Sequence, residues 1–142
     1  MEKHDHIICL ELSNRLSELA NIQEALEANA ERLGVSTAML MSLNLVVEEA
    51  FTNIVNYAYA DQEQHTIAIC INRNDQQLVI TLTDDGQPYD PTQKADPDIE
   101  LPAEKRQVGG LGIFLIRKIM DKVEYERKDN KNYLILTKNM TQ

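Results

Sequence analysis

Apolar residues recur along this chain with two different periods, and the changes of period mark its elements. His6-Ile7-Ile8-Cys9-Leu10-Glu11-Leu12 is an apolar run of strand length. From there the spacing lengthens. Leu16, Leu19, Ile22, Leu26, Ala30 and Leu33 fall three or four apart, as one stripe of a helix does. Ser13 or Asn14 can cap its start, and Gly34 suits the residue that ends it. Ser36 is the next candidate N-cap, and helical spacing then runs from Thr37 to about Tyr59. Leu40, Leu43, Val47, Ala50 and Ile54 mark one face of this second helix, which is apolar around most of its girth and therefore central. Glu49, Asn53 and Asn56 share another face, and polar groups in such a setting need partners.

The period then shortens again. Thr66 to Asn72 and Leu78 to Thr83 read as strands joined by a turn at Asn74-Asp75-Gln76, and the second ends at Asp84-Asp85-Gly86. Pro88 to Val108 has no periodicity and holds all four prolines of the chain. A loop of that length inside a domain is usually a working lid or a disordered insertion. Gly110 to Asp121 reads as a helix covered by Ile113, Phe114, Leu115, Ile116 and Ile119. Val123 to Arg127 and Tyr133 to Lys138 are two more strands, joined across Asp129-Asn130-Lys131-Asn132. The order β, α, α, β, β, loop, α, β, β predicts one α+β domain over residues 1–142. It is a two-layer α/β sandwich with a mixed, mostly antiparallel sheet and helices on one face.

Composition narrows the function. Fourteen basic against 23 acidic residues leave a net charge of −9, which repels nucleic acid and anionic membrane and favours a basic protein partner. No apolar run approaches a membrane span, and the charged start lacks a signal core, so the expectation is a cytoplasmic protein. Cys9 and Cys70 are expected as reduced, buried thiols. His4, His6 and His65 have no metal-ligand spacing.

Three clusters carry candidate chemistry. Glu49 and Asn53 lie one helical turn apart. An Asn oxygen is a neutral hard ligand for Mg²⁺, and a Glu beside it can polarise a hydroxyl or water. Glu48 lies about 100° around the helix from Glu49 and faces elsewhere. Asp84 at a strand end can accept a hydrogen bond from an exocyclic amine such as that of adenine, with Gly86 letting the backbone approach the ring. Gly110-Leu111-Gly112, preceded by Gly109, opens a helix and can turn N–H groups toward phosphates. Each cluster alone also reads as ordinary structure: a surface pair, an Asp-Gly turn, a lid hinge. No P-loop pattern is present, and no Gly-x-Gly-x-x-Gly follows a strand.

As an ordered series the three resemble the ATP-binding boxes of the GHKL superfamily, which includes gyrase and the histidine kinases. Val46-Val47-Glu48-Glu49-Ala50-Phe51-Thr52-Asn53 is similar to its N box. Asp84-Asp85-Gly86 is similar to its adenine box, and Gly109-Gly110-Leu111-Gly112-Ile113 to its second glycine box. The likeness covers nearly the whole chain and is greatest to the stand-alone anti-sigma-factor serine/threonine kinases of bacteria. It implies the Bergerat ATPase fold, with Glu49 as catalytic base and Asn53 as Mg²⁺ ligand. Asp84 and Gly86 would meet adenine, and Gly110, Leu111 and Gly112 the phosphates of ATP, under a lid at about 88–108. It also implies binding of a sigma factor, phosphorylation of Ser or Thr on a STAS-type antagonist, and a homodimer through roughly His6 to Leu33.

Two positions depart from the pattern. Relatives often carry Thr near the start of the last strand, where this chain has Asn132-Tyr133. Some carry Arg just before the glycine box, where Val108 stands, with Lys105-Arg106 a little earlier. The alternative function is a nucleotide-gated binding module without significant turnover. A histidine kinase catalytic domain would need a phospho-acceptor His on a dimerisation helix, and no His here sits on one.

Overall fold

The computed structural model describes residues 6–93 and 110–140. Five strands form one sheet in the order β1-β2-β3-β5-β4. They are β1 His6–Ser13, β2 Thr66–Arg73, β3 Gln77–Asp84, β4 Lys122–Lys128 and β5 Lys131–Asn139. Every neighbouring pair runs antiparallel. Helices α1 Leu19–Leu33, α2 Thr37–Tyr57 and α3 Gly110–Ile119 supply the second layer, with α2 in contact with both others. The expected α+β sandwich is the fold observed. Most of the expected lid, with Gly109, lies outside the described residues, as does the side chain of Leu111.

Strand alternation decides what faces the helices. β3 alternates half-buried and buried residues along its whole length. Leu78, Ile80 and Leu82 are buried, and the same parity places Asp84 on the core side. On β5 the buried parity runs Asn132, Leu134, Leu136. The register sets Asp84 opposite Asn132, and Asn132 opposite Arg127 of β4. Three polar residues therefore form one rung across three neighbouring strands at one end of the core.

Helix α2 fills the middle of the second layer. The Ser36 hydroxyl caps it, accepting from the Met39 N–H at 3.1 Å. Its buried residues are Leu43, Val46, Val47, Ala50, Phe51, Asn53 and Ile54. At 21 residues it is long and apolar enough to cross a membrane by length and composition, against the expectation that no segment was. Val46, Val47 and Phe51 are fully buried in the core cluster, and core packing accounts for the apolar girth.

Three local readings differ from the structure. First, neither Ser13 nor Asn14 caps α1. A short 3-10 turn at Leu16–Glu18 precedes that helix, and the Ser13 N–H and hydroxyl both donate to the Glu18 carboxylate, at 2.7 and 3.0 Å. Asn14 instead accepts from the His65 N–H at 2.9 Å, tying the end of β1 to the start of β2. Second, the β4–β5 turn consists of Asp129 and Asn130 alone, both at positive φ (55° and 63°). Lys131 and Asn132 already belong to β5, which is what brings Asn132 into register with Asp84.

Third, the cysteines are neither reduced nor buried in the core. Ile8, Leu10 and Leu12 take the core parity of β1, so Cys9 points to the opposite face and is exposed. Cys70 stands directly across the ladder at a Cα–Cα distance of 4.1 Å, and the two form a disulfide. The apolar run hid a period of two. Cross-linking two positions 61 residues apart restricts the unfolded chain. The Cys9→Ser/Cys70→Ser variant is expected to lose about 2–4 kcal/mol of stability in urea denaturation, and wild type to show no free thiol when unfolded without reductant.

Candidate active site

The site is built where α2, α3 and the rung of β3, β5 and β4 meet. Glu49 and Asn53 project from the middle of α2 one turn apart; Glu49 is half-buried and Asn53 buried. Asn56, on the same face by spacing, is exposed. Glu48 points elsewhere, its carboxylate accepting from the Asn44 amide at 3.1 Å. Helix α3 begins at Gly110 and lays Gly112 against the Glu49–Asn53 pair. A methyl on Gly112 would stand 2.8 Å from Glu49 Oε1 and 3.3 Å from Asn53 Nδ2. The first and third clusters are thus in contact, and glycine is what permits it.

Asp84 ends β3 on the core side and is only 3% exposed. Its Oδ1 accepts from the Gly86 N–H at 2.9 Å and from the Asn132 amide at 2.8 Å. Burial raises its pKa above the usual carboxylate range, and the bonds from Asn132 and Gly86 oppose the rise. Gly86 does not face the pocket. A Cβ there would meet the Ala58 carbonyl oxygen at 2.3 Å, and that same oxygen accepts from the Gln87 N–H at 2.7 Å. Gly86 is glycine because the end of α2 presses on the turn.

One pocket joins Asn53 to Asp84. Ala50 and Asn53 of α2, Ile113 and Ile116 of α3, Asp84, Asn132, Leu134 and Tyr125 line it, together with Tyr89 and Pro91 of the segment after β3. Asp84 and Asn53 therefore share a cavity, although they are 31 positions apart in sequence. The cavity is about 10 Å³, room for roughly one water. Arg117 of α3 donates to the Thr92 carbonyl and ties the segment after β3 to that helix.

Beside the pocket, His65 lies between two carboxylates, 2.8 Å from Asp61 and 3.2 Å from Asp85, and stacks on Tyr59 at 4.4 Å. The bond to Asp61 raises its pKa, with Asp85 adding to the effect. The cluster holds the segment after α2 against the Asp84-Asp85-Gly86 turn. Among the described residues no group of three or more His, Cys, Asp or Glu could hold a metal. The Asn53 amide and the Glu49 carboxylate are the polar side-chain groups gathered against Gly112.

The sequence reading passed over Asn132, Tyr125 and Arg127 as site residues, noting Asn132 only as a departure. Strand parity was the available signal: counting back by twos from Leu136 and Leu134 reaches a polar residue at a core position.

The match to known proteins agrees with this geometry. Residues 12–138 match the histidine kinase-like ATPase domain. The chain belongs to that family. Serine/threonine-protein kinase BtrW of Bordetella bronchiseptica is 31% identical over 128 residues, 90% of this chain and 90% of that protein. Serine-protein kinase RsbW of Oceanobacillus iheyensis is 37% identical over 99 residues, 67% of this chain and 63% of that one. In fold, the chain is similar to the histidine kinase domain of a blue-light-activated histidine kinase from Erythrobacter litoralis. That likeness has a TM-score of 0.50 at 16% identity and covers 86% of this chain and 59% of the other.

The two structural glycines should respond differently to alanine. Gly86→Ala sets a methyl against backbone that cannot yield, and is expected to cost about 2–3 kcal/mol in chemical denaturation. Gly112→Ala meets chiefly the end of the flexible Glu49 side chain. It is expected to cost less than about 1 kcal/mol while displacing Glu49 and weakening any ATP-dependent activity at least tenfold.

Proposed function

We propose that the chain is an ATP-dependent protein serine/threonine kinase that regulates by switching partners. It would hold a sigma factor, phosphorylate a Ser or Thr of a STAS-type antagonist protein, and release it. The observation that carries the reading is the contact of Gly112 with Glu49 and Asn53 beside a pocket that ends in Asp84. In this reading Glu49 is the base, Asn53 the metal ligand, the start of α3 the phosphate site and Asp84 the amine acceptor. The kinases named among the relatives support it.

In this reading adenine lies over Ile113, Ile116 and Leu134 with its exocyclic amine toward Asp84. Gly86 serves that edge indirectly, its N–H donating to Asp84 Oδ1 at 2.9 Å. The cavity is smaller than a purine, so entry displaces the Tyr89–Pro91 wall at the lid base. Gly110, Leu111 and Gly112 offer backbone N–H groups and the helix dipole to the phosphates. Mg²⁺ on Asn53 would offset the negative charge of the β- and γ-phosphates. Glu49 accepts the proton of the incoming hydroxyl as its oxygen bonds to the γ-phosphorus and ADP departs. A homodimer would form through β1 and α1, β1 being an edge strand of the sheet.

The experiment is transfer from γ-labelled ATP with Mg²⁺ to proteins retained from native extract. Label on Ser or Thr of a small antagonist is the expected result; tight nucleotide binding without transfer would favour a nucleotide-gated binding module. Glu49→Ala is expected to slow transfer by about 10²–10⁴-fold with ATP affinity little changed. Glu48→Ala, whose carboxylate serves Asn44, should transfer normally. Equal rates for Glu49→Ala and wild type would remove Glu49 from this role.

A further inference from the structure

Asn132 makes more side-chain hydrogen bonds than its neighbours at the pocket, and it is 3% exposed. Its amide nitrogen donates to Asp84 Oδ1 and to the Gln87 carbonyl, both at 2.8 Å. Its amide oxygen accepts from the Tyr125 hydroxyl, from Arg127 Nη1 at 3.2 Å and from the Tyr89 N–H at 3.4 Å. Two acceptors therefore stand on one side of the amide and three donors on the other. That arrangement permits a single orientation, because a flipped amide would set oxygen against oxygen at Asp84 and Gln87. An Asp at this position would meet the same conflict.

The consequence falls on Asp84. Both of its protein bonds go to Oδ1, from Gly86 and from Asn132. Oδ2 is left as the carboxylate oxygen with no donor among the described residues. The groups facing this carboxylate include Asp85 beside it, Arg127 on β4 and Tyr59 beyond α2, with Tyr89 and Tyr125 around the pocket. Arg127 also donates to the Gly86 carbonyl at 2.8 Å, so the cation facing Asp84 is itself held by the turn.

We infer that Asn132 is the positioning residue that fixes Asp84 as a one-sided acceptor and so makes the pocket select a 6-amino purine over a 6-oxo purine. The inference rests on the reading of this pocket as the ATP site and adds the residue that sets base preference. With Asn132 in place, Oδ2 can only accept, and it meets the 6-amino group of ATP as acceptor to donor. Against the 6-oxo group of ITP it meets acceptor with acceptor. Without the Asn132 donor, the buried carboxylate takes up a proton more readily, and a protonated Asp84 can donate to a 6-oxo group.

The test compares ATP and ITP binding by wild type, Asn132→Leu and Asn132→Thr, each by calorimetry from pH 5 to 8. Wild type is expected to prefer ATP. Asn132→Leu should lose about tenfold or more in ATP affinity and lose most of the ATP-over-ITP preference. Its ATP binding should also begin to fall at a higher pH than in wild type as acid is added. Asn132→Thr, which keeps a hydroxyl donor, should recover part of the preference. A merely structural role would weaken both nucleotides alike and leave the pH profile in place, and that result would overturn the inference, as would an Asn132→Leu variant indistinguishable from wild type. Failure of wild type to bind either nucleotide would instead refute the ATP reading itself.

Discussion

A carboxylate removed from water must be met by donors or give up its charge. That constraint organises the pocket end of this fold. Asp84 reaches the core because β3 keeps a strict alternation to its last residue. It can stay there because the next strand in the sheet brings an amide to the same rung, and because its own turn offers the Gly86 N–H. Gly86 in turn must be glycine to let that turn lie on the end of α2. The pocket floor, the tight turn and the central helix are therefore one linked arrangement.

At the other end of the pocket the requirement is proximity. Glu49 and Asn53 are brought to the start of α3 by the close approach at Gly112, where even a methyl group would crowd Glu49. Regular elements supply both ends: strands carry Asp84 and Asn132, and helices carry Glu49, Asn53 and Gly112. The segment after β3 enters between them through Tyr89 and Pro91, anchored by the bond from Arg117 to Thr92.

Much of this was legible in the sequence. Strand and helix periods gave the element order, and the Ser36 cap and the Gly34 stop fell where propensity puts them. The three clusters were recognisable because their chemistry depends on short local spacing. What escaped depended on parity and register. Cys9 sat in an apolar run that concealed which face it took, and only the β1–β2 ladder sets it across from Cys70. Asn132 was assigned to a four-residue turn; the turn uses two, and shifting the strand start brings that side chain into register with Asp84. The polar rung is a property of three strands together, and no window along one strand contains it.

Calorimetric titration of wild type with ATP, with and without Mg²⁺, tests the central claim most directly. The account predicts a saturable one-site binding heat that weakens when the metal is withheld. No heat at millimolar ATP would contradict the existence of the site on which the rest is built.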